Sequence, residues 1–311
     1  MSLIASLGAL EIGLIFGLVA LGVLLSFRII NFPDLTVDGS FPLGGAVAAA
    51  LIVAGWNPFA ATAVAIVAGA LSGAITAWLN VSLRIMQLLA SILVMIALYS
   101  VNLRVMGKPN VALIDEPTVF SALAIDGVPD YWMKPLALLA IVIVAKLLLD
   151  LFFASETGLA MRATGGNPRM ARAQGISTDR QTIAGLALSN GLVALAGALF
   201  AQSQGGADIS MGVGTIVIGL AAVIIGETLV PARKLAITTL ACLLGAVLYR
   251  FFIAAALNTD FLGLQAQDLN LVTALLVAVA LMVPAWKRKL AGTFPKRAAT
   301  TVVTPVQKEA C

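Results

Sequence analysis

Any chemistry this chain performs must come from ionisable and amide side chains set in apolar sequence. Asn31, Asp34, Thr36 and Asp38 cluster in one polar break, and Asn190, Gln202, Gln204, Asp208 and Ser210 stand in or beside a later apolar run. At membrane depth such groups either offer polar contacts to a passing solute or satisfy backbone groups freed where a helix is interrupted. Asp34 or Asp38 is placed to cap the helix that follows, and Arg28 is near enough in sequence to neutralise one of them. Glu11, Lys146, Asp150 and Arg250 fall near the ends of apolar runs, where long side chains reach the interface or pair. Glu227 precedes Pro231-Ala-Arg233-Lys234 and is expected to pair with Arg233 or Lys234, with seating a partner protein as the alternative.

Covalent, metal and nucleotide chemistry are poorly provided for. Histidine is absent, and Cys242 and Cys311 lie far apart with no second pair, so neither a zinc site nor a disulfide framework is encoded. No Ser/Lys or paired-Asp arrangement stands within the apolar runs, which argues against an intramembrane enzyme. Gly165-Gly166-Asn167-Pro168 lacks the Lys and the preceding strand of a phosphate loop, so no cofactor is expected and nucleotide must bind elsewhere. The basic residues follow loops and form no nucleic-acid-binding module.

The elements that must position these residues are membrane helices. Of 311 residues 60% are hydrophobic and 11% charged, and the mean hydropathy is +1.03, far from the balance of a water-soluble domain. Against a bilayer that needs about 20 helical residues, spans are expected near 7–30, 58–80, 85–106, 135–153, 183–204, 235–256 and 269–286. Two shorter, Gly- and Ala-rich segments, 41–54 and 212–229, read as buried or re-entrant half-helices. The fold class is therefore an all-α polytopic membrane protein of about eight or nine transmembrane or re-entrant helices. The N-terminus lacks the basic region and cleavage site of a signal peptide, so its first apolar run is expected to be retained.

Charge sets the expected topology. Arg162, Arg169, Arg172 and Arg180 in the 155–182 loop, Arg233 and Lys234, and the tail Lys287, Arg288, Lys289, Lys296, Arg297 and Lys308 should face the cytoplasm. The 107–134 loop, with Asp115, Glu116, Asp126 and Asp130, and the 257–268 loop, with Asp260 and Asp268, should face the other side. Nine segments would start the chain outside; one re-entrant segment in the first half would start it inside. Trp56, Trp78, Trp132 and Trp286 sit near span ends and read as an interfacial belt rather than a substrate cage.

Two sequence details bear on mechanism. Asp34-Leu-Thr-Val-Asp-Gly39 before 41–54 has a short echo in Asp208-Ile-Ser-Met-Gly212 before 212–229, the pattern of an inverted repeat with halves 1–154 and 183–286. The alternative is that Asp, Thr/Ser and Gly recur wherever helices start. Within 155–182, Asn167 suits an N-cap, Pro168 the first helical position and Gly175 the C-terminal cap, which brackets a helix of about two turns bearing Arg169 and Arg172. Such a helix across the membrane surface is a handle for another protein; the plainer reading is an ordinary basic loop.

The run Glu156-Thr-Gly-Leu-Ala-Met-Arg-Ala-Thr-Gly-Gly-Asn-Pro-Arg-Met-Ala-Arg-Ala-Gln-Gly-Ile176 resembles the signature of permeases of the branched-chain amino acid and ribose importer superfamily of ATP-binding-cassette transporters. Ile30-Asn-Phe-Pro-Asp-Leu-Thr-Val-Asp-Gly39 with Leu43-Gly-Gly45 resembles that superfamily's motif after its first span, in wording closest to the branch described as tryptophan/tyrosine or uncharacterised permeases. The likeness runs through nearly the whole chain. It implies a permease subunit that couples to a separate ATPase through Glu156, Gly158, Arg162, Gly165, Asn167, Pro168, Arg169, Arg172 and Gly175. It also implies a second permease copy or homologue, an extracytoplasmic solute-binding protein and a bacterial inner membrane. On the functional reading of their polar character, Asn31, Asp34, Thr36, Asp38, Asn190, Gln202, Asp208 and Ser210 would then line the path, and by its charge the basic tail, 287–311, would be cytoplasmic. Branched-chain amino acid permeases usually carry a different polar run where Pro33 to Asp38 stand, so their substrate is not transferred. The competing function is an ion-gradient-driven secondary transporter with Asp34, Asp38 and Asp208 as ion ligands, which would leave the basic loop without a task.

Overall fold

The computed structural model describes residues 3–123, 130–230 and 234–257, with 278 and 282. Arg233, Asp126, most of the 257–268 loop, the span expected at 269–286 with Trp286, and the tail 287–311 lie outside the described residues.

Helix α1 (Leu3–Val23) passes directly into a π-helical turn (Leu24–Ile29). A break follows, then α2 (Val37–Val53), α3 (Pro58–Leu83) and α4 (Gln87–Met106). Strand β1 (Asn110–Ala112) and the short α5 (Val119–Ala122) lead to α6 (Asp130–Ala154). Two surface helices, α7 (Glu156–Gly166) and α8 (Pro168–Ala173), precede α9 (Thr178–Gln204). Strand β2 (Gly206–Asp208), α10 (Thr215–Leu229) and α11 (Leu235–Leu257) complete the described chain. Among the described residues six helices are long and apolar enough to cross a membrane, and α2 and α10 are shorter apolar helices. At about 1.5 Å per residue, α2 and α10 span roughly 25 and 22 Å, short of the ~30 Å hydrocarbon core.

The two ends of the bundle are distinct. β1 and β2 pair antiparallel, Asn110 with Asp208 and Ala112 with Gly206, so the 107–118 and 205–214 segments share one end, the strand face. α7 and α8 occupy the other, the loop face, because α6 and α9 run between them. The expected opposition of the basic 155–182 loop and the acidic 107–134 loop is thus met in three dimensions. α1 starts at the strand face, where Ser203 near the end of α9 hydrogen-bonds Glu11, and ends at the loop face beside α7.

Close backbone approach holds the centre together, as expected where lipid removes the hydrophobic drive between helices. A side chain at Gly44 would overlap the Ala194 carbonyl, and one at Gly197 would overlap that of Phe41, so α2 lies directly on α9. The contacts advance together, Ser40 at Asn190 and Gly44 at Ala194, so these helices run parallel. On the other side α10 lies parallel to α1, Gly219 against Val19 and Val23 and Glu227 against Arg28. Each half-helix therefore packs along the long span that precedes the other. α1 is 78% buried over its most apolar window and α4 only 28%, so α1 and α9 form the centre while α3, α4 and α6 turn Leu71, Ile75, Leu93 and Leu148 outward.

Candidate functional site

The break between α1 and α2 turns at Asn31, whose φ of +59° is left-handed, and continues without regular secondary structure to Asp34. Asp34 is fully buried; its Oδ1 accepts the Thr36 amide at 2.9 Å and its Oδ2 accepts Asn190 Nδ2 at 2.6 Å. Asn190 also donates to the Leu186 carbonyl at 3.1 Å and accepts Ser40 Oγ at 2.7 Å. The Ser40 and Ser72 hydroxyls are 2.8 Å apart, as are those of Thr36 and Thr76. Asp34, Thr36 and Asn190 of the expected path are thus brought together, inside the bundle, as a closed network of buried polar groups satisfying one another. Ser40, Ser72 and Thr76 escaped the sequence reading. The signal was present in α3, where Gly69, Ser72, Gly73 and Thr76 form a stripe of small residues at helical spacing.

Asp38 does different work. It stands in the first turn of α2, yet its carboxylate accepts the Ile216 amide at 2.7 Å and the Gly214 amide at 3.3 Å, so it caps α10 rather than its own helix. The N-termini of both half-helices meet at this one side chain. Pro42 cannot donate to the Asp38 carbonyl, and Gly212 packs against that freed group. A cleft of about 490 Å³ opens beside it, walled by Asp38, Pro42, Met95, Tyr99, Asn102 and Ser210 among others.

The remaining expected path residues are dispersed. Gln202 is buried nearer the strand face, its Oε1 accepting the Val119 amide at 2.9 Å and its Nε2 donating to Thr62 Oγ1 at 2.9 Å, which ties α5 and α3 to α9. Asp208 accepts the Ser210 amide at 2.7 Å as well as its hydroxyl; these donors hold the Asp208 carboxyl below the usual carboxylate range. Asn31 lines a separate cleft of about 970 Å³ at the loop face, with Arg84, Gln87, Gly165 and Arg172.

Arg28 neutralises neither Asp34 nor Asp38. It lies at the loop-face end of the π-helical turn, where Nε donates to Glu227 Oε1 at 2.9 Å and links the ends of α1 and α10; Arg233, one of the two partners expected for Glu227, lies outside the described residues. The π-turn adds a residue to the helix and points Arg28 outward, away from the break. Lys146 and Asp150 pair at 2.6 Å one helical turn apart, and Thr239 donates to Asp150. Arg250 lies over the Phe16 ring at 4.6 Å. Trp56, Trp78 and Trp132 are each about half exposed near span ends, as expected of an interfacial belt.

The loop face carries the second feature. Asn167 Oδ1 accepts the Met170 amide at 3.1 Å and Pro168 opens α8. Gly175, at φ +82°, closes it in a double bond pattern, Ile176 N–H to the Ala171 carbonyl and Gly175 N–H to that of Arg172. The helix bracketed in the sequence is present with both caps. α7 was not anticipated; its Gly-rich end reads as loop, and tertiary packing makes it helical. Gly158 fits against the Phe152 carbonyl, Gly165 fits where a Cβ would overlap the Ile29 carbonyl, and Met161 is wholly buried. Arg162, Arg169 and Met170 face outward. Arg172, also on the outer surface, bonds Thr178 Oγ1 at 2.7 Å and Asp179 at 3.3 Å, tying α8 to the start of α9.

The sequence matches, over residues 6–285, the family described as branched-chain amino acid transport system, permease component. A tyrosine transport system permease protein of Clostridioides difficile is 38% identical over 265 residues, 85% of this chain and 86% of that protein. An uncharacterized protein of Rickettsia prowazekii is 36% identical over 279 residues, covering 88% and 95%. The ribose import permease protein RbsC of Escherichia coli is 28% identical over 257 residues, covering 80% and 76%. No solved structure matches the chain.

Proposed function

This chain belongs to the family of permease components of branched-chain amino acid transport systems, and from that premise we propose that it is the membrane-spanning subunit of an ATP-binding-cassette importer for an amino acid or related small solute. A separate ATPase binds and hydrolyses ATP, an extracytoplasmic binding protein delivers the solute, and a second permease copy or homologue completes the path. The membrane is the bacterial inner membrane, with the loop face and the 287–311 tail in the cytoplasm. The tyrosine permease relative supports an amino acid as cargo.

One observation carries the coupling role. α8 is a capped, outward-facing helix whose neighbour α7 is seated through Gly165 on the Ile29 carbonyl, at the junction of the π-turn with the Asp34 break. A push on α8 therefore reaches the polar core through rigid contact, the kind of lever that shifts a permease between two states. The halves 1–154 and 183–286 act as an inverted pair joined by 155–182; the reciprocal packing of α2 on α9 and α10 on α1 supports this.

The test is co-purification of the ATPase encoded beside this chain. Because Arg172 serves the internal joint to α9, the informative variants are Arg169→Glu and Met170→Glu, compared with wild type at matched membrane expression. The expected result is retention by wild type and loss in the double variant. Failure of any ATPase to associate with wild type would overturn the importer reading and make the ion-driven transporter the leading one.

A further inference from the structure

The cleft beside Asp38 has an unusual chemical balance. Its walls come from the start of α2, the middle of α4 and the segment that leads into α10. Half-helix N-termini at membrane depth ordinarily attract an anion, but here Asp38 already takes the Gly214 and Ile216 amides. The slot a carboxylate or phosphate would use is filled by the protein's own carboxylate.

What the cleft offers instead is acceptors. Asp38 is the one charged side chain in its lining, with no Lys or Arg among the described residues that form it. Asn102, 1% exposed, donates Nδ2 to the Gly39 carbonyl at 3.2 Å, which fixes the amide's orientation and leaves Oδ1 buried without a donor. An amide oxygen left unmatched at this depth is costly and points to a donor that arrives with something else. Apart from Ser100 and Ser210, the other side chains of the wall, among them Met95, Ile96, Tyr99, Ile209 and Val213, are apolar or aromatic.

We propose that this cleft contacts the solute and selects a protonated amine with an apolar or aromatic body, the ammonium at Asp38 and Asn102 and the body along Met95, Ile96 and Tyr99. The identification of its occupant as cargo rests on the importer reading. The selection follows from the cleft's own balance: a small cation is drawn to the one carboxylate among the described lining residues, and an anion meets neutral hydroxyls but no cationic side chain there.

The test uses Ser100, which lines the cleft and is exposed. Ser100→Cys is placed in a Cys242→Ala, Cys311→Ser background of the full-length permease, purified in detergent. It is labelled with aminoethyl and sulfonatoethyl methanethiosulfonate, each rate normalised to that with free cysteine. The ammonium reagent should be favoured by about tenfold or more, and Asp38→Asn should bring the ratio near one. Equal normalised rates in the Asp38 protein, or a preference unchanged in Asp38→Asn, overturn the assignment. A second measurement keeps Asp38 intact, should the variant not fold: phenethylammonium should slow labelling of Ser100→Cys and 3-phenylpropionate should not, the reverse overturning the proposal. Absence of any cation preference with ATPase association intact sinks the cleft alone; loss of that association with the preference intact sinks the importer reading alone.

Discussion

Asn190 is where the polar core converges, because one amide serves Asp34, Ser40 and the Leu186 carbonyl together. Replacing it by Ala leaves the buried Asp34 Oδ2 with no donor and should cost at least about 1–3 kcal/mol, read as a lower Tm in detergent. Gln204→Ala, at an exposed position, should stay within roughly 0.5 kcal/mol; equal losses in the two would mean the network carries little. At this scale the sequence disclosed residue types better than partners. A broken apolar run marked Asp34 and Asp38 as groups needing donors, but which helix supplies them depends on packing: Asp34 finds Asn190 across 156 positions and Asp38 finds Ile216 across 178. Arg28 departs from its expected partners for the same reason, since nearness in sequence says nothing about a π-turn that turns its side chain outward to Glu227. Asn102, a lone amide in an apolar run, was visible as a type and went unremarked.

At the scale of elements, α8 was legible because its signals are local: a side-chain cap, a proline at the first position and a glycine that adopts positive φ without strain. α7 was not, because its helicity depends on where Gly158 and Gly165 lie against distant backbone. That dependence gives a paired prediction, conditional on the coupling role. Gly165→Ala must push α7 off the Ile29 carbonyl, whereas Gly166→Ala meets nothing within 4 Å. In a reconstituted complex with ATPase and binding protein, Gly165→Ala should retain the ATPase but weaken solute-stimulated ATP turnover, a coupling loss of about 0.5–2 kcal/mol. Gly166→Ala should match wild type. If both variants turn over ATP like wild type, α7 is not the route by which the loop face reaches the π-turn.

For the whole molecule, charge asymmetry and geometry constrain one another. Basic and acidic loops pointed to opposite sides of the membrane, yet the position of the N-terminus stayed open because a half-helix and a full span are equally apolar in sequence. The structure resolves it relative to the other elements: the break and α2 together carry the chain from the loop face back to the strand face, where Ile52 clusters with Val111 and Ala207, so α2 is not re-entrant, and the chain from Leu3 begins at the strand face, opposite α7 and α8. If Lys and Arg hold the loop face in the cytoplasm, the strand face and the start of α1 must lie outside. In a background lacking Cys242 and Cys311, Ile114→Cys, at a residue 75% exposed on the strand face, should react with a membrane-impermeant maleimide in intact spheroplasts. Ser177→Cys, exposed between α8 and α9, should react only after the membrane is opened. The opposite pattern would invert the molecule, placing α8 where no ATPase could reach it, and would remove the importer reading together with the topology.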